Sequence, residues 1–273
     1  ARSSPAFPDP ARHGACISLY GDSFTWAAEV DDERAWGNLL ARMAGCRVAN
    51  YGVAGYGTDQ AYLRFKRNEA DSAGVVVLGI MAENILRNVM QFKDIIYPKE
   101  FYSLKPCFAI GSRGELELVP MPRIPAERYG EFVEYPERFL ECDYFVPGGP
   151  SRVGHLHFPY TLSVARVLGL LVWHRLLLGE PVVDVVYADF YREDHPSQAL
   201  EITVEIVAAF HADCMAAGRR PVVVVFPERS SLVSYLENGV WVFENLLAKL
   251  AERGIDVVNF GNRLVEGLGK RAP

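Results

Sequence analysis

The chain has few cysteines for its 273 residues, and they show no pairing pattern. The five are widely spaced, odd in number and never arranged as C-x-x-C: Cys16, Cys46, Cys107, Cys142 and Cys214. This spacing argues against a complete disulfide framework and against a zinc knuckle. We therefore expect most of these cysteines to be buried thiols.

Basic residues are scarce relative to acidic ones. The chain carries 28 Lys and Arg against 34 Asp and Glu, has a formal net charge of -6, and shows no Lys/Arg cluster. A protein that binds phosphate backbones without regard to sequence needs a basic patch. The sequence therefore predicts no nucleic-acid partner.

A long hydrophobic run is also missing. The most apolar stretch, from Val164 to Gly179, is interrupted by Arg166, His174 and Arg175. It is shorter than the about 20 apolar residues that cross a bilayer. We predict a core or cap helix there, and no transmembrane segment.

The first residues contain no apolar core of a signal peptide, and the chain begins at Ala1 instead of methionine. We expect an upstream segment to have been removed or omitted. We expect a soluble protein. Its compartment stays open between the cytoplasm and, after removal of such a segment, the cell envelope or the exterior.

Hydrophobic residues make up 50% of the chain, and many of them lie in segments that alternate between strand-like and helix-like patterns. Apolar runs at Ala15 to Gly21, in "CRVANYG" and at Gly74 to Ile80 predict three buried strands. The helices predicted between them are Glu33 to Gly45 and "TDQAYLRFKRNEA". Near the end of the chain the pattern resumes with the helix "SQALEITVEIVAAFHADCMAAG", the strand Pro221 to Pro227, the helix "VFENLLAKLAERG" and the strand "IDVVNF".

The alternation lapses between about Asp94 and Glu180, where "CFAIGSRGELELVP" predicts a hairpin with its turn at Gly111 to Gly114. We predict that residues 94–180 form an inserted cap or hairpin region in a single domain spanning residues 1–273. Strands separated by helices pair in parallel and are covered on both faces. The expected fold class is therefore α/β: a three-layer α/β/α, flavodoxin-like domain with a parallel five-stranded sheet and a mid-chain insertion.

Three loops follow the first three predicted strands, and the carboxyl ends of parallel strands meet at one edge of a sheet. The first loop contains Gly21, Asp22 and Ser23, the second runs from Gly52 to Gly57, and the third runs from Gly79 to Asn84. A serine at a helix start, a glycine backbone N–H and an asparagine amide can together form a nucleophile with an oxyanion hole.

These residues resemble the sequence blocks of the SGNH or GDSL hydrolase family. The G-D-S block matches Gly21 to Ser23, and the N-x-G-x-x-G-type loop matches "NYGVAGYGTDQ". The third block matches "VVVLGIMAEN", although A-E-N-I stands where the family has G-x-N-D. The resemblance, which covers most of the chain, implies that Ser23 attacks an ester carbonyl. It also implies that the N–H groups of Ser23 and Gly55 and the amide of Asn84 hold the oxyanion.

Each of these residues also has a plain structural alternative. Ser23 can be a helix N-cap, Gly55 can serve a turn with positive φ, and Asn84 can cap the helix "ILRNVMQF". Asn88 is the second candidate for the oxyanion amide. We expect Asp22 to hold its loop through hydrogen bonds to backbone N–H groups.

The general base is missing from the pattern. The family places a histidine in a D-x-x-H block after the last strand, but the last histidine of this chain is His211. Either the chain is cut short before that block, which we expect, or the protein lacks it. In both cases we expect the chain as given to be nearly inactive, because the serine has no base. His195 is the internal candidate, because the helix it precedes begins at the same sheet edge as Ser23, although "DHPS" is also an ordinary helix start. His155 and His157 share a strand face but have no third ligand, so no metal is predicted.

The resemblance implies an ester hydrolase that forms an acyl-enzyme and needs no metal or organic cofactor. The expected substrate is a small ester or an acylated glycan or lipid. Two alternatives stay open: an O-acyltransferase that acts on glycans with the same residues, and a catalytically inactive carbohydrate- or partner-binding domain. Nothing in the sequence predicts an oligomeric state.

Overall fold

The computed structural model describes residues 13–96, 103–147 and 187–269, the N-terminal pieces 2 and 4–10, and the single residues 151 and 161. The helix predicted from Val164 to Gly179 lies outside the described residues, as do His155, His157 and His174. The proposed limits of the insertion stay a prediction.

A five-stranded parallel sheet forms the centre of the molecule. The strands described are β1 (Ala15–Tyr20), β2 (Arg47–Asn50), β3 (Val75–Met81), β4 (Cys107–Ile110), β5 (Leu116–Val119), β6 (Arg220–Phe226) and β7 (Val257–Asn259). The central sheet has the order β2-β1-β3-β6-β7, with every neighbouring pair parallel. This is the flavodoxin-like strand order, and it confirms the predicted fold class.

Helices connect the strands and cover the sheet. Those described are α1 (Ser23–Trp26), α2 (Trp36–Ala44), α3 (Thr58–Arg67), α4 (Asn84–Arg87), α5 (Tyr129–Glu134), α6 (Ala199–Ala216), α7 (Arg229–Asn238), α8 (Glu244–Glu252) and α9 (Phe260–Gly269). Helix α7 is not among the predicted helices, because its N-cap is Glu228 instead of one of the residues that mark helix starts. None of the helices in the described ranges has the length and hydrophobicity to cross a membrane.

Successive residues of the strands face opposite sides of the sheet. Val76, Leu78 and Ile80 of β3 belong to the larger core cluster, which also contains residues of α3, α6 and α8. Val77 belongs to the smaller cluster on the other face, together with Ala41 of α2. Helices therefore pack on both faces of the sheet, which makes the three layers that the alternation of strands and helices predicts.

The predicted hairpin is confirmed. β4 and β5 pair antiparallel, with Cys107 opposite Val119 and Ile110 opposite Leu116. The Gly111 N–H donates to the carbonyl of Glu115 at 2.8 Å and closes the turn.

The expectation of mostly unpaired cysteines is wrong. Disulfides join Cys16 to Cys46 and Cys107 to Cys142, with Cα–Cα distances of 6.1 and 6.5 Å, and Cys214 is a buried free thiol. The partners are 30 and 35 residues apart in the sequence, so their spacing carries no pairing signal. It is the pairing of β1 with β2 that brings the first two cysteines together.

Candidate active site

Ser23 lies directly behind β1, as the first residue of α1. The N-cap of this short helix is Asp22, whose carboxylate accepts the N–H groups of Phe24 at 2.9 Å and Thr25 at 3.3 Å. Asp22 thus holds the turn as expected, and the alternative that Ser23 is the cap is wrong. The Ser23 hydroxyl forms no hydrogen bond with another described residue.

Two glycines let the Ser23 turn lie close against the sheet. A Cβ atom at Gly21 or at Gly79 would overlap the hydroxyl of Thr25, which is buried under the turn. Gly21 also has a φ of +159°, at the border of the region that L side chains rarely adopt. The first and third loops are therefore in direct contact.

The second loop lies against the same turn. The amide of Asn50 donates to the carbonyl of Thr25 at 2.7 Å and accepts the N–H of Gly52 at 3.0 Å. The N–H of Val53 donates to the carbonyl of Gly21 at 3.0 Å. A Cβ at Gly52 would lie 2.5 Å from the backbone nitrogen of Trp26, so only glycine fits there.

Gly55 lies near the tip of the second loop with a φ of +78°. Its positive φ matches the structural alternative, which does not conflict with a binding role for its N–H. The Lys93 ammonium donates to the Gly55 carbonyl. The N–H groups of Gly55 and Ser23 donate to no other described residue.

Asn84 begins α4 at the end of the third loop and is only 1% exposed. The N-cap of α4 is Glu83, so the alternative that Asn84 caps this helix is wrong. Burial raises the pKa of Asp22, and the nearby Asn84 amide is one of the groups that oppose the rise. Neither polar atom of the amide, however, forms a hydrogen bond of standard geometry with a described residue.

Asn88, the second candidate for the oxyanion amide, is already engaged. Its amide donates to the hydroxyl of Thr203 at 2.8 Å and accepts the N–H of Asp59 at 3.2 Å. These bonds join α4 to α6 and α3. Asn88 therefore has a structural role, and Asn84 is the asparagine with an unbonded amide.

Arg87 connects all three loops, and the sequence analysis did not single it out. Its guanidinium donates to the carbonyl of Tyr56 at 3.0 Å and to the carboxylate of Glu83, and it lies 3.9 Å from the carboxylate of Asp22. The only sequence signal was its position three residues after Asn84, on the first turn of a helix at this edge.

Buried negative charge surrounds this arginine. Burial raises the pKa of Asp22 above its ordinary value, and the Arg87 charge opposes the rise. Burial also raises the pKa of Glu83, which the negative charges of Asp22 and Glu228 raise further. The charge of Arg87 therefore opposes the rise in pKa of both carboxyls.

A pocket of about 360 Å³ opens beside Ser23. Its other walls come from the segment that follows, and they include Phe24, Ala28, Val30 and Trp36. The pocket lies on the side of Ser23 formed by the first loop and α2, not by the second and third loops.

None of the described histidines forms a hydrogen bond with Ser23. The ring of His195 packs against Phe190 at 4.2 Å and Tyr144 at 5.4 Å, and its Nδ1 is 2.8 Å from the hydroxyl of Ser197. Its helix does begin at the expected edge, but these contacts hold the ring in an aromatic cluster. His211 lies within α6, and His13 packs against Phe7.

No protein-family model and no curated protein matches the chain. Among solved structures it is similar to a protein from Desulfitobacterium hafniense DCB-2 assigned to the G-D-S-L family of lipolytic proteins, at 13% identity. That match covers 89% of this chain and 76% of the other, with a TM-score of 0.40. An alanine mutant of the esterase AlinE4 is 23% identical over 28% of this chain and 44% of its own, with a TM-score of 0.24. These likenesses concern the fold alone.

Replacing Arg87 by methionine is expected to lower the free energy of unfolding by about 2–3 kcal/mol near pH 7, because the buried carboxyl of Asp22 and the partly buried carboxyl of Glu83 lose the positive charge beside them. The loss is expected to be smaller near pH 4. Burial raises the folded-state pKa of Asp22 and Glu83, so ionisation of these carboxyls lowers the stability of the folded protein as the pH rises. Arg87 opposes this loss of stability only where the carboxyls are ionised, and at low pH its removal therefore costs less.

Urea unfolding at both pH values measures the difference. Arg113→Met is the matched control, since the Arg113 side chain is 87% exposed. An equal loss for Arg87→Met at the two pH values would contradict the electrostatic role.

Proposed function

We propose that the protein is a serine-dependent ester hydrolase with Ser23 as its nucleophile. Support comes mainly from the Ser23 turn: Asp22 caps α1, so the Ser23 hydroxyl is left unbonded at the carboxyl edge of the parallel sheet. Ligands of such sheets bind at this edge. The resemblance of the three loops to the SGNH or GDSL blocks points to the same chemistry.

In the proposed reaction the Ser23 oxygen adds to an ester carbonyl and its proton passes to a base. The N–H groups of Ser23 and Gly55 and the amide of Asn84 donate to the oxyanion. The tetrahedral intermediate then expels the alcohol, which takes up a proton, and leaves an acyl group on Ser23. Water hydrolyses the acyl-enzyme in the second half of the reaction.

The unbonded amide of Asn84 supports this assignment. A buried polar group without a partner costs free energy, and such groups are rare in folded proteins. The Asn84 amide is 1% exposed, lies close to Asp22 and forms no hydrogen bond of standard geometry with a described residue. It can donate to an oxyanion that forms only during the reaction.

The proposed mechanism needs a base for the Ser23 proton. Within the described ranges, no histidine or carboxylate forms a hydrogen bond with the Ser23 hydroxyl. We therefore expect this chain to acylate slowly compared with an enzyme whose histidine contacts the serine.

The test is covalent and does not require turnover. The protein is incubated with 4-nitrophenyl acetate, quenched in acid and measured by intact-mass and peptide-mapping mass spectrometry. We expect one acetyl group, located on Ser23. The exposed Ser72 supplies the matched control, because Ser72→Ala should acylate normally and Ser23→Ala should not. Equal acylation of the two variants would refute the proposal.

A non-catalytic carbohydrate-binding domain is the second candidate function, favoured because the His195 ring contacts Phe190 and Ser197 and forms no hydrogen bond with Ser23. Such a domain would bind an acetylated glycan equally well before and after Ser23→Ala. It would also form no acetyl-Ser23 in the experiment above.

A further inference from the structure

The pocket beside Ser23 is apolar. Phe24 and Val30, which line it, are 41% and 42% exposed, so large hydrophobic side chains face solvent here. Trp36 forms another wall, and its indole N–H donates to the carbonyl of Phe24 at 3.0 Å. This bond removes the polar end of the indole from the pocket. A volume of about 360 Å³ is within the usual range of small-molecule sites.

The charges at the pocket balance. Glu29 and Arg34 both line it and both are exposed, so the mouth carries one negative and one positive group. A charged ligand would gain from one and lose from the other. The lining therefore favours an uncharged, apolar group.

Arg2 holds the loop that forms the pocket wall. Its guanidinium donates to the carboxylate of Asp32 at 2.6 Å and to the carbonyls of Trp26, Ala27 and Val30. The Arg2 side chain is only 8% exposed, and its carbon Cζ lies 5.7 Å from the centre of the Trp26 ring. One side chain thus fixes three carbonyls of a single short loop.

The loop needs such an anchor because its backbone is strained. Ala27 has a φ of +58° and a ψ of 54°, which lie in the left-handed region that residues with a Cβ rarely adopt. Conformations of this kind persist only where the surroundings hold them. Arg2 supplies that restraint from a distant part of the chain, so the pocket keeps its shape without a ligand.

We propose that this pocket binds an apolar chain of the ester, and that Arg2 is a positioning residue that keeps the pocket open. The proposal rests on the proposed function, because it takes Ser23 as the point of attack. The oxyanion donors Gly55 and Asn84 lie in the second and third loops, whereas the pocket lies on the side of the first loop and α2. The carbonyl oxygen and the apolar chain are therefore assigned to different sides of Ser23.

Alkylboronic acids with methyl, butyl and octyl chains test the pocket. The serine oxygen adds to boron, its proton goes to solvent, and the boron becomes tetrahedral like the carbon of the proposed intermediate. Boron NMR reports the adduct, and isothermal titration calorimetry reports the affinity. We expect a tetrahedral signal that is lost in Ser23→Ala, and an affinity that rises about fourfold per added CH₂ group until the pocket is filled.

A second series places the chain on the alcohol side. Butanol, hexanol and octanol are titrated into the Ser23→Ala variant, where no adduct forms. A rise of affinity with chain length among the boronic acids assigns the pocket to the acyl chain. A rise among the alkanols alone assigns it to the alcohol. Either result supports an apolar chain site.

Three variants connect the chain-length effect to the pocket. Val30→Asp places a charge in the wall and Ala28→Leu fills the space, so both should lower the affinity for octyl ligands far more than for methyl ligands. Val233→Asp is the matched control, because Val233 is a 45% exposed valine on α7. It should leave the chain-length series unchanged.

Arg2→Ala should lower the affinity for octylboronic acid about tenfold and change the affinity for methylboronic acid little, because the loop is no longer held around the pocket. Affinity should then rise less steeply with chain length. Arg2→Lys keeps the charge but not the forked donors, so it should not restore the series. Arg113→Ala is the exposed-arginine control. If Arg2→Ala weakens all chain lengths equally, its role is only structural.

The outcomes separate the two proposals. If an adduct forms on Ser23 but affinity does not rise with chain length in either series, the pocket proposal is overturned and the proposed function stands. If no boronic acid forms an adduct, the proposed function fails, and the alkanol series still decides whether the pocket binds apolar chains.

Discussion

The Ser23→Ala variant is expected to lose the whole rate above spontaneous hydrolysis that the protein shows with 4-nitrophenyl acetate, because the reaction loses its nucleophile. The turn itself should survive, since Asp22 caps α1 and the Ser23 hydroxyl bonds to no other described residue. The loss should therefore appear in the rate and not in stability. Initial rates, corrected for spontaneous hydrolysis, measure the loss of rate, and urea unfolding measures the stability.

Two further variants define this result. Asn84→Ala should lower the rate by about 100- to 1,000-fold, as expected when one donor to an oxyanion is removed. Ser72→Ala, at an exposed serine outside the site, should change nothing. A Ser23→Ala variant that keeps its rate would exclude the serine mechanism.

Replacing Lys105 by methionine is expected to lower the free energy of unfolding by about 3–5 kcal/mol, because it leaves a buried carboxylate without its partner. The Lys105 ammonium donates to the carboxylate of Asp59, and the two side chains are 2% and 0% exposed. The pair joins the segment that leads into β4 to the first turn of α3. Burial raises the pKa of Asp143, a second buried carboxyl, and the nearby Lys105 charge opposes that rise.

Urea unfolding of the unchanged protein and of three variants checks the prediction. Lys249→Met is the matched control, because Lys249 is 24% exposed and pairs at 3.5 Å with a Glu193 that is 68% exposed. It should cost at most about 1 kcal/mol. The double variant Lys105→Met, Asp59→Asn should recover much of the loss, since it removes the unpaired charge. If Lys105→Met unfolds no more easily than Lys249→Met, the pair contributes little.

Much of the site followed from local sequence signals. A buried strand that ends in Gly21, Asp22 and Ser23 predicts a tight turn, and parallel strands must present their following loops at one edge. This is why the contacts between the first three loops could be expected. Local signals did not distinguish Ser23 from Asp22 as the helix cap, because either residue type serves in that position.

Other features depend on residues far apart in the chain. Arg87, which contacts all three loops, carries no motif, and the disulfide between Cys107 and Cys142 spans 35 residues. The surroundings of His195 likewise depend on Tyr144, which lies about fifty residues upstream in the predicted insertion. No periodicity or spacing encodes such contacts.

The sequence by itself predicted the five strands of the central sheet, their parallel pairing and the edge at which Ser23 lies. These follow from hydrophobic periodicity and from short-range turn chemistry, which act between neighbours in the chain. Only the tertiary structure decided which cysteines pair, which of the two asparagine amides forms no hydrogen bond of standard geometry, and which carbonyls Arg2 contacts in the loop beside Ser23. Those outcomes depend on burial and on the distances between elements, which exist only once the sheet and its helices have packed.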